Sequence, residues 1–85
     1  MSNLPIKRVP AEMPVPLSVW RHHKGDYYQV LGRVFNATDD RWEVKYTKIH
    51  CAHNDPIAGI EFTRTVEDWN HKILDRIPRF TKVIL

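Results

Sequence analysis

Between residue 18 and residue 48, apolar and polar side chains alternate in short runs interrupted by polar clusters, the period of β-strands. A first strand is expected over Val19–His22, a turn at "HKGD", where Gly25 is free to take positive φ, and a longer second strand over 27–35. In that strand Tyr28, Val30, Gly32 and Val34 alternate with Tyr27, Gln29, Leu31, Arg33 and Phe35, so neither face is purely polar. Gly32 falls where a small barrel bends a strand or admits a bulge. "NATDD" is the next turn. A third strand over 41–48 places Trp42, Val44 and Tyr46 on one face. Residues 50–59, "HCAHNDPIAG", have no period and read as a loop, followed by a fourth strand over 59–63.

Thr65 is a plausible N-cap: Glu67 and Asp68 follow in the first turn, and Val66, Trp69 and Ile73 stand at helical spacing. One or two helical turns are expected there. "IPRFTKVIL" closes the chain as a last strand starting beside Pro78. Pro5, Pro10, Pro14 and Pro16 forbid helix and central strand at the other end, so 1–17 is expected to be an extended Pro-rich arm, either partly disordered or laid across a neighbouring subunit. The expected fold class is mainly β, a small antiparallel barrel of about five strands with one short helix over 18–85.

With 85 residues, the chain is one domain that buries only about 60–65% of its unfolded surface, a small core that favours assembly into a homo-oligomer. A single cysteine, Cys51, suits a reducing compartment. No apolar run approaches the roughly 18 residues of a membrane span and no signal peptide is evident, so a cytoplasmic protein without a membrane partner is expected. The net charge of +3 is unevenly spread. Lys and Arg outnumber Asp and Glu by five to two in 1–35 and by four to one in 71–85, and are outnumbered seven to four in 36–70. Cationic ends around an acidic middle can form one anion-attracting face, or can pair with the acidic segment. A dedicated nucleic-acid binder is usually more one-sided.

The run "WRHHKGDYYQVLG" resembles the opening signature of the bacterial and phage family known as domain of unknown function 1653, Tyr-Arg-His-x-Lys-Gly-x-x-Tyr-x-Val-Leu-Gly. Trp20 replaces the tyrosine; Arg21, His22, Lys24, Gly25, Tyr28, Val30, Leu31 and Gly32 agree. "FTRTVEDW" is similar to the family's aromatic-x-Arg-Pro-Leu-x-Met-Phe through Phe62, Arg64 and the aromatic Trp69, with Thr65 in place of proline, and Pro78, Arg79 and Phe80 match its closing Pro-Arg-Phe. Asn36 stands where members carry histidine, and 50–59 departs from the usual hairpin. The resemblance spans about 19–83 and implies an SH3-like barrel or roll; it implies no activity.

The candidate ligand-binding residues are Arg21, His22, Lys24, Tyr27, Arg33, Arg64, Trp69 and Arg79. On a strand Arg21 shares a face with His23, and His22 with Lys24, so the run cannot present all of them to one ligand. Arg21, Arg64 and Arg79 are expected to form a shared anion site, because guanidinium forks match phosphate and carboxylate oxygens; the competing reading pairs them with the acidic segment. Most large rings belong to a core this small. Tyr27, out of phase with Tyr28, is the first candidate for an exposed ring that stacks a base. His50, Cys51, His53 and Asp55 offer a weak metal motif without standard zinc spacing, so no metal or other cofactor is expected. Cys51 lacks a suitably placed base, the paired carboxylates are explained by a turn and a helix start, and the glycines are too scattered for a phosphate loop.

The sequence therefore favours a non-enzymatic module for a small anionic, nucleotide-like ligand, for instance a phage protein sequestering a nucleotide immune signal. The alternatives are an RNA or single-stranded DNA binding module and a protein-interaction adaptor.

Overall fold

In the computed structural model, the described residues are 8–49, 55–73 and 76–84. They form β1 (Val19–His22), β2 (Tyr27–Asn36), β3 (Arg41–Ile49), β4 (Glu61–Thr65), α1 (Val66–Trp69), β5 (Lys72–Ile73), β6 (Ile77–Pro78) and β7 (Phe80–Lys82). Five strands make one antiparallel sheet in the order β4-β3-β2-β1-β7, and β5 pairs with β6 in a small second sheet. The chain is mainly β with one short helix, as the alternation predicts. The five-stranded sheet does not close into a barrel: β4 and β7 are its ends.

The turn between β1 and β2 is closed by the Asp26 carbonyl, which accepts from His22 N–H at 2.7 Å, and by the His22 carbonyl, which accepts from Gly25 N–H at 2.8 Å. Gly25 sits at φ +106°, a conformation that only glycine adopts without strain. The β2–β3 register slips between Val30 and Gly32, so the bulge lies where the glycine predicts it. The Thr65 hydroxyl caps α1, accepting from Asp68 N–H at 3.0 Å.

Three elements differ from expectation. β4 starts at Glu61 rather than residue 59, because residues 56–59 form turns in which Asp55 accepts from the N–H groups of Ile57 and Ala58, and Gly59 takes φ +79°. α1 has the single turn that is the shorter of the lengths expected, but it ends before Ile73: the Val66 carbonyl accepts from Asn70 N–H, and Ile73 lies on β5. The last strand is divided, with Ile77–Pro78 facing β5 and Phe80–Lys82 facing β1.

Val30, Val44, Tyr46, Val66, Trp69 and Phe80 make the core, and Met13 joins them. Residues 8–17 are thus laid against the domain, secured where Leu17 N–H donates to the Val30 carbonyl at 2.7 Å. No helix among the described residues is long and apolar enough to cross a membrane.

Candidate anion-binding cleft

The three motif arginines do not converge. Arg64, on β4, donates from Nε to the Tyr46 hydroxyl at 2.7 Å and from Nη1 to Asp68 Oδ2 at 2.7 Å. Arg79, just before β7, places Nη2 3.5 Å from Asp68 Oδ1. One helical carboxylate thus holds both guanidinium groups beside the aromatic core, with the Arg64 guanidinium carbon 5.6 Å from the centre of the Phe80 ring. Burial alone would lower the Arg64 pKa, but the hydrogen bonds to Asp68 and Tyr46 leave it raised. For Arg64 and Arg79 the pairing with the acidic middle segment prevails over a shared anion site. Trp69 is buried as well: its ring stacks on Phe80 and presents no face to a ligand. Arg33 is exposed on β2 opposite Val44 and makes no hydrogen bond or ion pair among the described residues, so it does not join the cluster.

Arg21 goes elsewhere. In the β2-β1-β7 ladder Tyr27, Arg21 and Thr81 are register partners, so they form a row across three strands on one face. Tyr27 is 37% exposed, the ring that its phase singles out, and the Arg21 guanidinium carbon lies 5.9 Å from its centre. The row borders a cleft of about 400 Å³ whose lining includes Arg21, His22, His23, Tyr27, Thr81 and Lys82. Ile77 and Pro78 close one side. Among the described residues its lining joins Arg21, Lys82, His22 and His23 to the apolar Ile77, Pro78 and Val83 and includes no carboxylate, and Arg21 forms no ion pair among them.

His22 connects the cleft to the cluster. Its Nδ1 accepts from the Lys24 backbone N–H at 3.1 Å, which fixes the neutral ring with its proton on Nε2; Lys24 otherwise lies exposed on the turn. The ring meets Phe80 edge-on at 5.1 Å and His23 at 4.3 Å. Burial first, then the positive neighbours His23, Arg64, Arg79 and Lys24, hold its pKa below the usual histidine value.

A second cleft, about 450 Å³, lies over β3, β4 and α1, but its charges are already matched: Arg41 pairs with Glu43 at 3.1 Å and Arg64 with Asp68. Hydrogen bonding from Asn36 holds the Glu43 carboxyl below the usual range against its burial. Of the metal motif, His50, Cys51 and His53 lie outside the described residues, while Asp55 accepts from Lys48 Nζ at 2.8 Å.

No family model and no curated protein matches the chain. A crystal structure of a DUF1653 protein from Bordetella bronchiseptica does: it is 30% identical, with 81% of this chain and 87% of that one covered, at a TM-score of 0.63. The chain belongs to the DUF1653 family. Within this DUF1653 chain the opening signature builds β1, its turn and the start of β2. Of the polar cleft residues, sequence reasoning missed His23, Thr81 and Lys82. His23 was available from its shared face with Arg21, whereas Thr81 and Lys82 enter only because β7 returns to pair with β1.

Proposed function

We propose that this DUF1653 protein is a non-enzymatic binding module for a small anionic, nucleotide-like ligand seated in the cleft beside β1 and β7. The observation that carries the reading is the exposed Arg21–Tyr27 pair in a cleft whose basic and imidazole groups meet no carboxylate among the described residues. A base stacks on Tyr27, an interaction worth about 1–3 kcal/mol. The phosphate meets the Arg21 fork and the Thr81 hydroxyl, the next position in the row. A volume of about 400 Å³ lies in the range of small-molecule sites and suits one nucleotide rather than a tracked strand. Without turnover such a module acts by sequestration, the role a phage protein would need against a nucleotide immune signal.

Calorimetric titration with mononucleotides and their nucleosides tests this. Nucleotides are expected to bind, nucleosides at least tenfold more weakly, and both Arg21→Ala and Tyr27→Ala to remove the heat. Absence of binding by any nucleotide overturns the proposal. Oligonucleotides binding far more tightly than mononucleotides, with a steep loss as salt rises, would move the function to RNA or single-stranded DNA.

A further inference from the structure

His22 stands between the cleft and the cationic cluster behind it. Its ring lines the cleft beside Arg21 and His23, and the centre of the His23 ring is 4.3 Å away. Titratable and charged groups surround it. On the turn after β1, Lys24 donates its backbone N–H to Nδ1, and the Asp26 carbonyl accepts from the His22 N–H while its carboxylate lies 3.9 Å from Lys48 Nζ. β2 brings the Tyr28 ring to 6.2 Å and β7 the Phe80 ring to 5.1 Å. Arg64 of β4 and Arg79, just before β7, act on the imidazole as positive charges. They share the single carboxylate of Asp68 on α1, so one positive charge is left over. On the cleft side no carboxylate lies among the described lining residues. The net effect of burial and of these charges opposes a second proton on the ring.

We propose that anion binding in the cleft is coupled to protonation of His22, so that the site loads its ligand as pH falls and releases it as pH rises. This rests on the nucleotide reading above and adds the regulation of the same site. A phosphate beside Arg21 places negative charge on the side of the imidazole that faces the cleft, and there it offsets the cations behind. Linkage is reciprocal: an anion that favours the proton is itself held more tightly when the proton is present. The proton enters at Nδ1, because Nε2 already carries one; the Lys24 N–H lies on an exposed turn and passes to water. Free His22 titrates below the usual histidine range and the complex above the free value, so between the two binding takes up a proton and affinity rises as pH falls. Below that interval both forms are protonated and the rise ends.

The test is calorimetric titration of the full chain with a 5′-mononucleotide at pH 7.5, 6.5 and 5.5. The phosphate of this ligand itself changes charge at about pH 6, so two comparisons remove its contribution. In the first, His22→Asn is titrated beside the native chain: from pH 7.5 to pH 5.5 the native affinity is expected to rise at least fivefold more than that of the variant. In the second, the native chain is titrated with the methyl ester of the same nucleotide, which keeps one charge throughout, in two buffers of different ionisation enthalpy. Net proton uptake is expected. This arm uses the unaltered protein, so it stands even if His22→Asn folds poorly. Equal pH response in the native chain and His22→Asn, or ester binding without proton uptake at any of the three pH values, overturns the coupling and leaves the nucleotide reading intact. Absence of mononucleotide binding at all three overturns both.

Discussion

The rings of Trp69 and Phe80 lie parallel, 7° apart in plane with centres 3.9 Å apart. Trp69 ends the single turn of α1 and Phe80 begins β7, so this stack ties the helix to the last strand, which in turn borders the cleft. Trp69 also meets Tyr46 at 5.1 Å and Trp20 at 5.6 Å, which joins β3 and β1 to the same centre. Truncating a buried aromatic ring costs about 3–5 kcal/mol, a large part of the roughly 5–15 kcal/mol that holds a domain folded. Trp69→Ala is expected to leave little folded protein at 25 °C by urea denaturation, and Trp69→Phe to keep the fold at reduced stability.

Asp68 neutralises both Arg64 and Arg79. Removing its charge leaves two guanidinium groups facing the aromatic core, but the Asp68 side chain is 45% exposed, so water partly compensates. Asp68→Asn is expected to destabilise by about 1–2 kcal/mol, in the range for charge-assisted hydrogen bonds. Chemical denaturation of Asp68→Asn, Arg64→Gln and the double variant gives the coupling between them, which is expected to be favourable and to survive moderate salt.

At Gly25 the constraint is the backbone, since an added Cβ meets only Arg21 Nη2 at 4.0 Å, an ordinary contact. A side chain at φ +106° nonetheless costs about 1–2 kcal/mol. Gly25→Ala is expected to lower thermal stability by that amount. Because the turn sets Tyr27 against Arg21, it is also expected to weaken nucleotide binding in the same preparation.

The local part of this architecture was legible in the sequence. The bounds of β1, the bulge before Gly32, the cap at Thr65 and the exposure of Tyr27 all follow from residues within a few positions of each other. Arg21, Arg64 and Arg79 illustrate what was not. For Arg21 and Arg79 the neighbours depend on β7 pairing with β1 and on α1 presenting Asp68 to Arg79, contacts between segments far apart in the chain, whereas the partner of Arg64, Asp68, stands only four residues on and only the folded geometry decides that the two pair. Trp69 failed as a ligand residue for a related reason. An aromatic at the end of a one-turn helix looks alike whether it faces a ligand or a core, and only the stack on Phe80 decides.

His22 makes stability depend on pH with a definite sign. Its pKa in the folded protein is lowered, chiefly by burial, so between that value and the unfolded value of about 6.5 the unfolded chain holds a proton that the folded chain does not. The stabilisation is complete above about pH 6.5 and declines as pH falls toward the folded value. Protonation also removes the Nδ1 acceptor used by Lys24 N–H. The melting temperature is expected to drop between pH 7 and pH 5.5. In His22→Asn, which keeps an acceptor but does not titrate, the drop is expected to be smaller over the same interval.

At Arg21 the proposed ligand asks for shape as well as charge. The guanidinium lies against Tyr27 and offers a planar fork, whereas lysine offers a flexible point charge. Arg21→Lys preserves net charge and therefore any general attraction of anions to the cleft. If phosphate is held by paired donors beside a stacked base, this variant is expected to weaken mononucleotide binding by about tenfold, equivalent to about 1.4 kcal/mol. The loss is expected mainly in the dissociation rate, because electrostatic steering is kept. Stopped-flow binding with Arg21→Lys and Arg21→Ala separates the two contributions: a Lys variant as tight as the native protein would mean that charge alone holds the anion, and the row from Tyr27 to Thr81 would then have no part in recognition.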